Sequence, residues 1–218
     1  VVIAKTNKDG DFGVIVMMNC ETDFVAKNQD FVDFVESVVD TAISNTAKST
    51  EELKNAPLDG RTVSDGISDQ LGKIGEKIEL GDYQYVESAK VYSYNHQGNK
   101  LATLLGLNKA DGADVDAIGH ELAMQVAAMS PVAVDKNDVD PKVVEREIEI
   151  GKEQARQEGK PENLLEKIAM GKLNKFYKEN TLLNQDFVRD SKKTVKQYIK
   201  EHDESLTVTG FKRVMIGG

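Results

Sequence analysis

Residues 13–28 read GVIVMMNCETDFVAKN, an apolar run followed by a polar one. The run at residues 13–18 has the length and composition of a buried strand. Beyond residue 28, apolar side chains recur at spacings of three and four, which predicts a helix that buries one face. These side chains are Phe31, Phe34, Val35, Val38, Val39, Ala42 and Ile43. Residues 19–28 therefore connect a strand to a helix.

Phe24 lies in this connection, with Asp23 before it and Val25 after it. An aromatic side chain at such a place either fills the core or contacts another molecule. Residue type alone favours the core, because most aromatic side chains are buried. The adjacent carboxylate keeps a role in contacting another molecule open.

The order of hairpin, loop and helix occurs twice along the chain. The predicted strands are residues 1–6, 12–18, 84–94 and 100–107, with turns at Lys8-Asp9-Gly10 and His96-Gln97-Gly98-Asn99. The second hairpin leads through a polar loop into a helix that carries Ile118, Leu122, Ala123, Val126 and Met129. Between the two repeats, apolar spacing predicts a helix over residues 63–80, although Gly72 and Gly75 disfavour it.

The segment after Pro131 is far more charged. Asp140-Pro141 is a typical helix start, and Gly159-Lys160-Pro161 ends that helix. A second helix follows, so the two should form an antiparallel hairpin, either a projecting arm or simply a solvated surface. Residues 191–202 are predicted to be the last helix, and residues 211–216 a strand added to the second sheet.

These patterns predict an α+β fold with two related subdomains, each a small antiparallel sheet packed with helices, and a projecting coiled-coil-like hairpin. The N-terminal subdomain is predicted to span residues 1–86. The C-terminal subdomain combines residues 87–134 and 180–218, and the arm is residues 135–179.

Composition narrows the class of partner. The 218 residues carry a formal charge of −9 and one cysteine. An acidic surface repels phosphate backbones, so we expect a protein partner and no direct nucleic-acid contact.

No apolar run has the length of a membrane span, and a lone cysteine suits a reducing compartment such as the cytoplasm. Scattered His and Cys residues and the lack of a Gly-rich phosphate loop predict no metal, cofactor or bound nucleotide.

Two other classes of function remain open on residue chemistry. Cys20 with His96, or Asp23 with His96, would be the nucleophile–base or acid–base pair of a hydrolase. Alternatively, the acidic surface and the helical arm would serve a scaffold that joins other proteins without any catalysis.

Four segments, in this order, resemble the elongation factor Ts family. They are NCETDFVAKN (19–28), YNHQGNK (94–100), HELAMQVAAMSP (120–131) and GKPENLLEKIAMGKLNKF (159–176), the last leading to Thr207-Val208-Thr209-Gly210-Phe211. The first segment is the most specific, and the order of the four carries the resemblance over nearly the whole chain.

The resemblance implies a guanine nucleotide exchange factor for elongation factor Tu, hence a translation factor and not an enzyme. The implied partner-binding residues are Thr22, Asp23, Phe24, Val25, Ala26, Lys27 and His96. Phe24 would intrude beside the partner's Mg²⁺ site, and His96 would press on its phosphate-binding side. The family also implies a homodimer or a two-plus-two complex, in the cytoplasm or in an organellar matrix.

The chain departs from the family pattern at three points. The N-terminal ubiquitin-associated-like module and the last C-terminal helix of the family are not among residues 1–218, so the chain is expected to be the core region, with reduced affinity for the GTPase. Asn99 stands where the family turn has Gly. Asn tolerates a left-handed backbone, so the turn is expected to persist.

Overall fold

A computed structural model describes residues 1–112 and 114–217 of the chain. Its strands are β1 (Val2–Thr6), β2 (Phe12–Asn19), β3 (Pro57–Leu58), β4 (Arg61–Thr62), β5 (Glu79–Glu87), β6 (Lys90–Asn95), β7 (Leu101–Leu107), β8 (Asp186–Phe187), β9 (Asp190–Thr194) and β10 (Val208–Met215). Its α-helices are α1 (Asp23–Ala26), α2 (Gln29–Ser44), α3 (Thr50–Asn55), α4 (Val63–Ile74), α5 (Val115–Met129), α6 (Pro141–Gln157), α7 (Leu165–Asn180) and α8 (Val195–His202). Small antiparallel sheets packed with helices confirm the α+β prediction.

The chain folds as two compact units. One comprises Val1–Ala127 and the chain from Leu206 onward, and the other comprises Ala128–Ser205. The division of the core into two subdomains and an arm, at the boundaries given above, stays a prediction.

The first unit contains a three-stranded antiparallel sheet in the order β1-β2-β5, and both of its faces are buried. Val14, Val16 and Met18 belong to one core, which includes the apolar face of α2. Ile15 points the other way, into a second core that includes residues of β6 and β7. Successive residues of a strand face opposite sides, so burial on both sides explains the unbroken apolar run at residues 13–18.

The same unit holds a second antiparallel sheet in the order β10-β7-β6. The predicted strand at residues 211–216 is therefore confirmed as an addition to the second sheet. Helix α5 packs on this sheet, where Thr103 Oγ1 donates a hydrogen bond to the carbonyl oxygen of Ala123 at 2.8 Å. Tyr92 of β6 donates its hydroxyl proton to Asp116 Oδ1 at 2.7 Å.

The single strand predicted over residues 84–94 is wrong. The structure has two strands there, β5 and β6, and each belongs to a different sheet. Ser88 lies at the break, where its amide donates to the Asp11 carbonyl at 3.0 Å and its hydroxyl to the Leu107 carbonyl at 2.7 Å. These bonds replace regular strand pairing at Ser88, and the chain passes there from the first sheet to the second.

The helix predicted over residues 63–80 is too long. Helix α4 ends at Ile74, because Gly75 adopts a left-handed backbone (φ 75°) and its amide closes the last turn on the Leu71 carbonyl. Ile78, which was assigned to the helix, is buried in the core ahead of β5. The spacing of its side chain matched helical periodicity by coincidence.

The second unit is built around α6 and α7. Asp140 caps α6 by accepting from the amide of Lys142 at 2.8 Å, as the Asp-Pro pair predicted. The two helices run antiparallel and approach closely at Gly151, where an added Cβ would lie 3.1 Å from the Cα of Ala169. Residues 191–194, predicted to begin the last helix, belong to β9 instead, and α8 starts only after the cap residue Thr194.

Candidate functional site

The segment predicted as a loop between β2 and α2 contains one turn of helix, α1. The Thr22 side chain caps it by accepting from the amide of Val25 at 3.4 Å. Asn28 then caps α2 by accepting from the amide of Asp30 at 2.9 Å. Side-chain caps before both helices make the path of residues 22–28 a defined structure.

Phe24 is 89 % exposed, although its neighbours are anchored. Val25 and Ala26 are half-buried and pack against the core that α2 also contacts. On a single helical turn, side chains that follow one another point in different directions, so anchoring Val25 and Ala26 leaves the Phe24 ring in solvent. The expectation from residue type, that this ring fills the core, is wrong.

The remaining members of this segment are polar and exposed. The Asp23 side chain is exposed, and its Oδ1 lies 3.9 Å from Lys100 Nζ. An ion pair this long between exposed groups contributes little to stability. Lys27 is exposed at the end of α1. Both charges remain available to a partner.

His96 lies on the exposed turn between β6 and β7. Its Nδ1 is 2.9 Å from the hydroxyl of Tyr94. Gly98 and Asn99 have φ values of 86° and 53°, so Asn99 adopts the left-handed conformation expected of it. The Asn99 carbonyl accepts from the amide of Val2 at 2.7 Å, which ties the turn to the edge of the first sheet.

A groove of about 550 Å³ separates this turn from the segment around α1. Thr22, Asp23 and Lys27 line one side of it, and Gly98–Lys100 line the other. The structure thus brings residues 22–27 and the tip of the second hairpin to one surface, while His96 itself does not line the groove.

The hydrolase pairs do not form. Among the described residues, no hydrogen bond joins His96 to Cys20 or to Asp23. The Cys20 thiol instead donates to the Thr22 carbonyl at 3.4 Å. Partial burial, assisted by the nearby carboxylates of Glu76 and Asp23, raises the pKa of Cys20. A thiol with a raised pKa carries less of the nucleophilic thiolate.

We therefore expect Cys20 to react slowly with iodoacetamide. Its thiolate fraction at pH 8 should be below that of a free cysteine, whose pKa is about 8.5, because the raised pKa moves ionisation to higher pH. Mass spectrometry across a pH series measures the rate, and the urea-unfolded chain supplies the reference. If the rate of the folded chain rose with pH at a midpoint equal to or below that of the unfolded chain, this expectation would be contradicted.

Residues 1–112 and 114–217 hold no group of three or more His, Cys, Asp or Glu side chains arranged to bind a metal ion. Across the same residues, no helix combines the length and the apolar composition that crossing a bilayer requires.

Sequence reasoning missed Glu76, whose carboxylate contacts the start of α1. Its Oε2 accepts from the amide of Thr22 at 3.1 Å, and its Oε1 accepts from the Thr22 hydroxyl at 2.8 Å. The one signal in the sequence was Gly75, which marks where the preceding helix ends. Nothing local connects Glu76 to a residue 54 positions earlier.

Comparison with known proteins supplies the family. The profile of the family described as "Elongation factor TS" matches residues 21–218. The chain belongs to the elongation factor Ts family. Elongation factor Ts of Porphyromonas gingivalis is 48 % identical over 212 residues, covering 97 % of this chain and 76 % of the relative. That of Cytophaga hutchinsonii is 48 % identical over 217 residues, covering 99 % and 78 %. That of Chlorobium phaeobacteroides is 38 % identical over 227 residues, covering 100 % and 79 %.

Membership confirms the resemblance read from the four segments, and the chain corresponds to the core region of its relatives. It also makes the chain a translation elongation factor, with a role in protein biosynthesis. Within that family, the groove and the exposed ring of Phe24 are the features that call for a chemical explanation.

Proposed function

We propose that the chain binds elongation factor Tu in its GDP-bound state and promotes release of GDP, so that GTP can bind. The observation that carries the proposal is the exposed ring of Phe24 on a one-turn helix, which Thr22 caps and which packs on the core through Val25 and Ala26. A large apolar ring held in water adds no stability to the folded chain, whereas the same ring adds affinity when a partner buries it.

The proposed mechanism is differential binding, without covalent chemistry. A factor that binds the empty GTPase more tightly than the GDP-bound one must weaken GDP binding by the same ratio. A factor with equal affinity for the two states would shift nothing. The chain is therefore proposed to act as a binding protein and not as an enzyme.

The roles proposed for the surface are those that the family resemblance implies. Phe24 enters the partner beside its Mg²⁺ site, where a small displacement of the ligands weakens a metal that requires near-octahedral geometry. Asp23 and Lys27, both exposed, bind polar groups of the partner around that ring. Thr22, Val25 and Ala26 hold the segment in place.

His96 is proposed to make a second contact, on the phosphate-binding side of the partner. Its exposed position on the turn, together with its hydrogen bond to Tyr94, fixes the imidazole on the surface near the groove. A cytoplasmic or organellar-matrix location and assembly as a homodimer or a two-plus-two complex remain predictions.

A nucleotide-release assay tests the proposal. Elongation factor Tu loaded with fluorescent GDP is mixed with excess unlabelled GDP and a substoichiometric amount of the chain. We expect release to accelerate about a hundredfold or more, which requires a barrier lower by about 2.7 kcal/mol. A chain that binds the GTPase and leaves the rate unchanged would be a scaffold, the alternative considered above.

A further inference from the structure

We propose that Glu76 is a positioning residue, which holds α1 in the orientation that presents Phe24. The proposal rests on the proposed function, because it assigns Glu76 a role only through Phe24. Glu76 is half-buried and lies just after α4, 54 residues from the residue it contacts.

Both carboxylate oxygens of Glu76 accept hydrogen bonds from Thr22. One carboxylate oxygen of Glu76 accepts the Thr22 amide at 3.1 Å, and the other accepts the Thr22 hydroxyl at 2.8 Å. A hydroxyl has a single proton, so donating it to Glu76 turns the lone pairs of Thr22 Oγ1 toward other donors. One such donor is the amide of Val25, at 3.4 Å. Glu76 therefore orients the side chain that caps α1.

The neighbouring residues add a reciprocal bond. The amide of Lys77 donates to Glu21 Oε2 at 3.3 Å, so residues 76 and 77 bond residues 22 and 21. Gly75 makes this possible, because its left-handed backbone turns the chain out of α4. An L residue at that φ would be strained.

Helix α1 needs an external support of this kind. A helix of four residues is far shorter than one that is stable alone, so its orientation depends on what holds its ends. Val25 and Ala26 anchor its inner side in the core. Glu76 fixes its N-terminal end through Thr22, and the direction of the Phe24 side chain follows from both.

The test compares Glu76→Ala with Glu51→Ala, a matched change at an exposed glutamate of α3. We expect Glu76→Ala to slow GDP release from elongation factor Tu by about three- to tenfold, the effect of losing charge-assisted hydrogen bonds that are partly solvated. Glu51→Ala should match the parent. Glu76→Gln keeps one acceptor oxygen and should retain part of the activity.

A readout that does not involve the partner is amide hydrogen exchange in α1. Faster exchange at Ala26 and Lys27 is expected in Glu76→Ala, with an unchanged thermal midpoint for the chain. In a Phe24→Ala background, adding Glu76→Ala should change the release rate by no more than about twofold, because a residue that acts through Phe24 has no effect without it.

Each failure has a different signature. If the parent chain does not accelerate GDP release, the proposed function is wrong. If the parent accelerates release and Phe24→Ala matches it, the function stands, but the role of Phe24, and with it that of Glu76, is wrong. If Phe24→Ala is slow and Glu76→Ala is not, only the positioning role is wrong. An equal loss from Glu76→Ala with and without the Phe24 ring would also overturn the inference, since Glu76 would then act independently.

Discussion

Replacing Phe24 by Ala is expected to slow GDP release from elongation factor Tu by about thirty- to a hundredfold, the effect of truncating an aromatic residue at the centre of an interface. The ring is 89 % exposed, so its removal takes little from the core of the chain. Release of fluorescent GDP measures the first effect. Urea unfolding measures the second, and the free energy of unfolding should change by less than about 0.5 kcal/mol.

Met170→Ala is the matched control for Phe24→Ala. Met170 is also a large, exposed apolar side chain, on α7, and its truncation should leave the release rate unchanged. Equal rates for parent, Met170→Ala and Phe24→Ala would remove Phe24 from the mechanism. Equal losses from both substitutions would mean that exposed apolar area in general, and not this ring, drives exchange.

The largest expected effect on stability comes from Gly119→Ala in α5. An added Cβ would lie 2.2 Å from two ring carbons of Tyr92. The ring has little room to move, because it is buried and its hydroxyl donates to Asp116 at 2.7 Å. Overpacking of this kind should lower the free energy of unfolding by about 2–3 kcal/mol, measured by urea denaturation.

Gly72→Ala makes the same chemical change in α4, where the described residues leave no heavy atom within 4 Å of the new Cβ. It should raise stability by up to about 1 kcal/mol, since Ala favours a helix over Gly. If Gly119→Ala and Gly72→Ala changed the free energy of unfolding equally, the packing of α5 against Tyr92 described above would be wrong.

Sequence patterns were sufficient where one physical rule dominates. The apolar spacing from Phe31 to Ile43 predicted α2, because a helix that buries one face repeats every three to four residues. Asp140-Pro141 predicted the start of α6 through capping and the fixed φ of proline. The unbroken apolar run at residues 13–18 predicted a buried strand.

Sequence patterns failed where contacts between distant residues decide the local structure. The break at Ser88 depends on bonds to Asp11 and Leu107, which no local pattern reveals. The exposure of Phe24 depends on the anchoring of Val25 and Ala26 in the core. Residue type predicted a buried ring, and only the family resemblance pointed outward.

In the candidate site, too, local motifs supported predictions, whereas contacts between distant residues could not be predicted. The motif predicted a role for residues 22–27, which stays a prediction, but it did not point to Glu76, because the contact of Glu76 with Thr22 exists only in the folded chain. The turn at residues 96–99 was predicted from its glycine and asparagine. Its position across the groove from Asp23 follows from the bond between the Val2 amide and the Asn99 carbonyl.

The affinity of the chain for elongation factor Tu, measured by titration calorimetry with the GTPase first emptied of nucleotide and then saturated with GDP, tests exchange most directly. Emptied GTPase should bind at least about tenfold more tightly, a difference of about 1.4 kcal/mol. Equal dissociation constants for the two states would contradict the account, because such a factor has no means of displacing GDP.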